Sequence, residues 1–296
     1  MEIRVLRYFL AVAREQSISR AAEFLHITQP TLSRQLMALE EELGVLLFER
    51  GRNSRRVVLT DDGMLLRRRA EEIVELSDKT EAEFQQRDDV ISGDIYIGAG
   101  ETDAMRYIAR AAKALQSAYP NIRYHLYSGN ADDVAERLDK GILDFGVMLE
   151  PAPIDKYDYI QFPISDVWGI LMRKDDPLAR KQSITPEDVP GLPLIVSRQS
   201  MVTNMLSGWS GADFVKLNIV GTYNLIFNAA LMVEEGFGCA LVLDKLAKTD
   251  ESSTLCFRPL EPRLEAHLDV VWKKYQVFTR AAELFLGSIQ SVFKQD

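Results

Sequence analysis

A chain of 296 residues is long enough for roughly two domains, and 47% hydrophobic residues can fill sizeable cores. No uninterrupted apolar run reaches the ~18 residues of a membrane helix, and Arg4, Arg7 and Arg14 break up any apolar leader core. No membrane partner is therefore expected, and the expected compartment is the cytoplasm. Cys239 and Cys256 are too few for a disulfide framework.

The net charge of −9 is unevenly spread. Residues 1–60 hold nine arginines against seven acids, residues 61–90 hold five basic against ten acidic residues, and residues 91–296 carry the remaining −6. Positive charge is thus concentrated near the N-terminus, and the acidic remainder disfavours docking on polyanions elsewhere.

Ile3, Leu6, Leu10 and Ala13 predict one apolar face of a first helix. Ser19 is placed to cap a short second helix, in which Ala21, Ala22 and Leu25 allow close approach of neighbours. A third helix opens at Thr28, a good N-cap whose hydroxyl can accept from a free first-turn N–H. Pro30 fits the first turn, where its missing N–H costs nothing. Leu32, Leu36, Leu39 and Leu43 recur at gaps of four, three and four, a single helical stripe. Off the stripe, Gln29, Pro30, Thr31, Ser33 and Arg34 gather at the N-terminal end, the end that a recognition helix presents to base edges.

After Gly44 the pattern predicts two short strands around a turn carrying Arg50, Arg52, Arg55 and Arg56. Arginine suits phosphate because its fork bonds bidentately and keeps its charge. A helix-turn-helix followed by a basic wing implies contact with double-stranded DNA, with bases read by the helix and phosphates held by the wing.

The motifs carry a resemblance. Leu6-Arg7-Tyr8-Phe9, Ser19-Arg20-Ala21-Ala22-Glu23, the run from 28 to 35, Leu39-Glu40-Glu41-Glu42-Leu43-Gly44, Leu47-Phe48-Glu49-Arg50 and Leu59-Thr60 stand in one order. Residues 1–60 resemble the winged helix-turn-helix of LysR-type transcriptional regulators. Two departures concern the wing: Leu46 stands where the family often has proline, and the turn is about two residues longer than usual.

Residues 61–90 predict a linker helix. Asp61 and Asp62 suit its N-terminal dipole. Leu66, Ala70, Ile73, Ser77, Thr80 and Phe84 follow the 3.5-residue coiled-coil period, which points to a dimer seam. Packing of this helix on its own domain is the competing explanation. The resemblance likewise implies a linker helix paired with that of another subunit, and a tetramer.

From residue 91 on, strands alternate with helices. Strands are predicted at 94–99, 122–127 and 144–149, with helices at 103–118 and 131–140, a β-α-β-α-β run that implies a parallel sheet. A second set has strands at 167–172, 194–196, 214–220 and 239–243 and helices at 202–209 and 223–234. A strand at 267–272 and a helix at 279–292 close the chain. The resemblance, weaker here (Gly93-Asp94-Ile95-Tyr96-Ile97-Gly98, Leu143-Asp144-Phe145-Gly146-Val147, and 233–241), implies an α/β two-lobed, periplasmic-binding-protein-like effector domain at 91–296. In it lobe I is about 91–162 and 267–296, lobe II about 163–266, and two crossing strands near 161–163 and 264–268 join them.

Ligands of such sheets bind beyond the carboxyl ends of strands and at helix N-termini. Gly100, Glu101 and Thr102 follow the first strand, and Ser128 and Asn130 the second. Ser197, Arg198 and Gln199 follow a strand of the second lobe, and Asn224 opens a helix. These are the candidate effector contacts, although Ser, Thr and Asn are equally routine caps at such places. Thr102 and Ser197 lead, because the family often binds its effector with hydroxyls at matching positions. Glu101 argues against a strongly anionic ligand nearby.

Other chemistry is nearly absent. His26, His125 and His267 show no metal-ligand spacing, and Gly98-Ala99-Gly100 lacks the further glycine of a dinucleotide fingerprint. No cofactor or metal is expected, and no catalytic constellation suggests an enzyme. The expectation is a sequence-specific, effector-modulated DNA-binding regulator that self-associates and engages RNA polymerase. The alternative, a solute-binding or catalytic α/β protein with a helical appendage, predicts no DNA affinity.

Overall fold

The computed structural model describes residues 1–49, 57–85, 91–150, 155–198, 208–209 and 217–295, with the backbone alone at 82–85. The chain divides into two compact units, Met1–Arg87 and Asp88–Asp296.

The first unit holds α1 (Ile3–Glu15), α2 (Ile18–Phe24), α3 (Gln29–Leu43) and α4 (Asp61–Gln85). Leu6, Phe9 and Val12 of α1, Ala21 and Ala22 of α2, and Leu32, Leu36 and Leu39 of α3 close one core. The alanines are what let α2 approach its neighbours. Ile3 and Leu43, expected on the apolar faces, are exposed instead. Ser17, not Ser19, caps α2, its Oγ accepting from Arg20 N at 3.4 Å. Thr28 is the N-cap of α3 as read, but its hydroxyl pairs with Thr31 Oγ1 at 2.8 Å and not with a backbone N–H. The helix ends at Gly44, whose φ of 70° is the left-handed conformation a glycine C-cap supplies. Buried Glu40 then accepts from the backbone N–H of Leu47 at 2.7 Å and of Phe48 at 3.3 Å, which fixes how the chain leaves α3. Phe48 and Leu59 form an antiparallel bridge.

Helix α4 packs on its own unit. Ala70 is buried in this core and Leu66 and Val74 pack against it, while Arg7 of α1 pairs with Asp78. Two members of the expected seam, Leu66 and Ala70, are thereby used within the subunit: α1 supplies the complementary surface. Ile73 and Thr80 stay exposed, as do Leu65 and Leu76 beside them.

The second unit is built on strands β1 (Gly93–Ala99), β2 (Ile122–Ser128), β3 (Phe145–Leu149), β4 (Tyr157–Arg173), β5 (Leu194–Ser197), β6 (Ile219–Tyr223), β7 (Cys239–Leu243), β8 (Leu255–Pro259) and β9 (Glu265–Lys273). Its helices are α5 (Met105–Ala118), α6 (Ala131–Asp139), α7 (Ile226–Glu234) and α8 (Arg280–Phe293). The strand order is β2-β1-β3-β9-β4-β7-β5-β6, with β8 also on β4. Strands β1, β2 and β3 run parallel, as the β-α-β-α-β pattern predicts, and so do β5, β6 and β7. Strands β4 and β9 run antiparallel to their neighbours and belong to both halves.

Two lobes result. In lobe I, α5 and α8 cover one sheet face through Ile108, Phe285 and Ile289, and α6 covers the other through Val134 and Leu138. Gly98 permits the close fit of α6 and the segment after it, since a Cβ there would meet Val134 Cγ1 of α6 at 3.0 Å and Leu143 Cδ1 at 2.4 Å. In lobe II, α7 lies on one face of β4, β5 and β7, while Ile170, Val196 and Leu241 fill the other. The join lies in β4, where Gln161 pairs with Asp269 and Ser165 with His267, so three β4 residues stand against one of β9. Pro163 sits in this bulge, where no ladder N–H is required.

Some boundaries differ from expectation. β4 begins at Tyr157 and joins into one strand the crossing segment expected near 161–163 and the strand predicted at 167–172. The strand predicted at 214–220 runs Ile219–Tyr223 among the described residues, and the helix predicted from 223 starts at Ile226. Most of the helix predicted at 202–209 lies outside the described residues. β8 was not expected at all.

Asp269, beside the join, is 1% exposed and its Oδ1 has no partner among the described residues. Burial, then the nearby charge of Glu150, push its carboxyl up to about 6, against the opposing effect of His267. A carboxyl raised in the folded state binds its proton more tightly there than when unfolded, so its effect on stability is lost as pH rises through about 6. The Asp269→Asn variant is expected to be about 1–3 kcal/mol more stable than the parent at pH 8. That difference should vanish below pH 4 in thermal unfolding across this range.

Candidate functional sites: an exposed helix end and a cleft

The N-terminal end of α3 is exposed to solvent. Gln29, Pro30 and Arg34 are exposed, while Thr31 and Ser33 are half-buried beside the core residue Leu32. The stripe Leu32, Leu36, Leu39 that anchors α3 forces these side chains outward, as 3.6-residue periodicity requires. Met37 and Ala38 extend the same exposed face. Arg50, Arg52, Arg55 and Arg56, expected in the wing, lie outside the described residues.

In the second unit a cleft opens between the lobes. Lobe I contributes Gly100, Glu101, Thr102, Gly129, Asn130 and Met148, and lobe II contributes Trp168, Ser197, Tyr223, Asn224, Ile226 and Leu243. Six expected contacts therefore meet here: Gly100, Glu101, Thr102, Asn130, Ser197 and Asn224. Ser128 lines an adjoining recess that shares Gly100, Glu101, Thr102 and Ile226. Arg198 is exposed and outside the lining, and Gln199 lies outside the described residues. Asn130 is also a helix cap: its Oδ1 accepts from Asp133 N at 2.9 Å in a reciprocal capping box. Asn224 Oδ1 likewise accepts from the neighbouring Leu225 N at 3.0 Å.

Trp168 and Ile226 are among the lining residues that the sequence does not single out. Trp168 looks like core from its pattern in β4, and its ring does pack in the lobe II core, but it also reaches the cleft. Tyr223 ends β6 instead of opening a helix, and its hydroxyl donates to Leu241 O at 2.7 Å. Ile226 supplies the first N–H of α7, which has no partner within the helix. Buried Asp166, just behind the lining, had no signal beyond being a lone acid in an apolar strand.

Polar contacts join the lobes. Thr102 Oγ1 donates to Asp166 Oδ2 at 2.5 Å and accepts from Ala104 N at 3.0 Å. Thr102 is 8% exposed and Asp166 0%. Burial pushes the Asp166 carboxyl upward, the Thr102 bond opposes this, and Asp244 adds to the rise. Glu101 reaches from lobe I to accept from Ile226 N, at the start of α7 in lobe II. Burial raises the Glu101 carboxyl too, with the Ile226 bond working against it. Tyr223 is pushed upward by burial and by the charge of Glu101.

A helix-turn-helix with an exposed recognition end, followed by a two-lobed α/β unit with a cleft at its strand ends, defines the class of DNA-binding regulators that carry a ligand-binding domain. A family described as "Bacterial regulatory helix-turn-helix protein, lysR family" matches residues 3–64, and one described as "LysR substrate binding domain" matches residues 88–294. The chain belongs to the LysR family of transcriptional regulators. It is 32% identical over 200 residues to the HTH-type transcriptional regulator BsdA of Bacillus subtilis (strain 168), which covers 67% of each chain. It is similar in fold to the crystal structure of CbnR, a LysR family transcriptional regulator, with a TM-score of 0.76, 20% identity and 99% of each chain covered. CbnR has also been solved with its target DNA, and that structure matches with a TM-score of 0.74 at 20% identity, over 99% of this chain and all of that one.

Among the described residues no helix is long and apolar enough to cross a membrane.

Replacing Thr102 by valine removes the hydroxyl and leaves Asp166 buried with neither oxygen bonded among the described residues. Thr102→Val is expected to lower stability by about 1–3 kcal/mol, the penalty of an unpaired buried polar group. Urea unfolding of the full chain at neutral pH measures it.

Proposed function

We propose that residues 1–60 read DNA, that residues 61–90 link and dimerise two copies, and that residues 91–296 bind a small-molecule effector between the lobes. Gln29, Pro30, Thr31, Ser33 and Arg34 contact base edges, and Arg50, Arg52, Arg55 and Arg56 hold phosphates. The observation that carries the reading is the end of α3, where Gln29, Pro30 and Arg34 stand exposed because the leucine stripe is buried.

Self-association uses exposed apolar residues of α4: Ile73 of the expected seam, with Leu65 and Leu76 on its flank. A symmetric dimer places two recognition helices on two half-sites. Tetramer formation and contact with RNA polymerase follow from family membership. The cytoplasm is the proposed compartment.

The effector lies among Gly100, Glu101, Thr102, Ser128, Asn130, Ser197 and Asn224, with Arg198 and Gln199 at the margin. Ligand binding across the cleft biases one lobe arrangement over another, and so biases how the paired DNA-binding units sit on their sites. The protein reads out this bias without turning the ligand over.

Two substitutions separate the base and phosphate roles. Arg34→Ala is expected to cost about 1–3 kcal/mol on the preferred site and to broaden the sites recovered by selection from random DNA. Arg55→Ala should weaken all sequences alike and reduce the slope of log K against log salt by about one. Equal loss on random and preferred DNA for Arg34→Ala contradicts the base-reading role.

A further inference from the structure

The charge of the cleft is one-sided. Among the described lining residues Glu101 is the sole charged side chain, and no basic residue faces it. Behind the lining, Asp166 is fully buried beside Thr102, and Asp103 and Asp244 add negative charge around it. The nearby cation, Lys245, is exposed, 3.3 Å from Asp244 and 3.9 Å from Asp103, so it is already drawn to those two acids.

The position an anionic ligand would use is also occupied. Helix N-termini attract anions through their free N–H groups and dipole. At α7 the N–H of Ile226 already bonds the Glu101 carboxylate from the opposite lobe. A ligand carboxylate would have to displace Glu101 and leave two negative charges in a desolvated cleft. A cation meets the reverse situation, because Glu101 is a half-buried carboxylate whose charge has no basic partner among the described residues.

A second feature points independently to a ligand. Trp168 is 3% exposed, lines the cleft, and its Nε1–H has no acceptor among the described residues. Buried indole N–H groups usually have one. The rest of the lining is largely apolar: Met148, Leu149, Leu243, Leu246 and Leu268.

We propose that the cleft selects a ligand with a protonated nitrogen, an amine or amidine, on an apolar body that carries a hydrogen-bond acceptor. Glu101 is the counter-ion of the nitrogen and the group that keeps carboxylates out. Trp168 Nε1–H donates to the acceptor, and the leucines and Met148 cover the apolar body. The inference rests on the reading of this cleft as the effector site.

The test is calorimetric titration of the full chain with a library of primary amines and amidines, each paired with its carboxylate and alcohol isosteres. One such set is 4-methoxybenzylamine, 4-methoxybenzamidine, 4-methoxybenzoate and 4-methoxybenzyl alcohol. Cationic members are expected to bind about tenfold or more tighter than their isosteres, as a charge-assisted bond in a desolvated site provides. Glu101→Gln should abolish that preference while keeping an acceptor for Ile226 N–H, and Trp168→Phe should weaken every binder. If carboxylates or alcohols match the amines and still respond to Trp168→Phe, the ligand charge is overturned and the cleft remains the site. If nothing binds, or binding ignores both substitutions, the cleft reading falls as well.

Discussion

The second unit depends on β4 and β9 crossing from one sheet to the other. Every other strand of that unit belongs to one lobe, while these two are shared. Their antiparallel pairing is interrupted at a bulge between Gln161 and Ser165, and there the sheet changes lobe. A bulge bends and twists a strand pair without breaking it. The carboxyl ends of β1 and β5 consequently face one another from different lobes, and the loops after them, with Thr102 and Ser197, line one cleft. Asp166 stands one residue beyond the bulge and is tied to Thr102, so the loop after β1 is fastened to the crossing itself.

That arrangement gives the cleft its electrostatics. Taking carboxylates out of water is costly unless they are paired and hydrogen-bonded. Here Glu101 and Asp166 are both withdrawn from solvent, and among the described residues each is only partly compensated, Glu101 by one backbone N–H and Asp166 by one hydroxyl. A chain selected for stability alone would replace them with apolar side chains. Their presence where two lobes meet fits a site held ready for a partner group, and it is the kind of place where local rules of folding give way to function. Because Glu101 spans the lobes, whatever pairs with it also acts on how the lobes are held together.

Much of this was legible in the chain. Residues of α3 declare themselves through the leucine stripe and Pro30, and the alternation of β1, α5, β2, α6 and β3 through hydrophobic periodicity. Other parts were not legible, for identifiable reasons. Ser17 and Ser19 are equally good caps by residue type, and only the start of α2 separates them. Thr31 competes for the Thr28 hydroxyl in a way no propensity reports. In α4, Leu66 and Ala70 fit both a coiled coil and the surface of α1, and tertiary packing within the unit takes both of them. The resemblance implies a crossing strand near 161–163, but its start at Tyr157 and its continuity with the strand from 167 emerge only from pairing with β9. Trp168 was hidden because a cleft formed by long-range pairing leaves no local trace.

A reader of specific DNA and a general polyanion binder differ most plainly in where they sit on a genome. Genome-wide mapping of the DNA bound by the unaltered chain tests the account directly. Discrete sites, each with two related half-sites on one face of the helix as a symmetric dimer requires, are the expected result. Uniform or absent enrichment would contradict it.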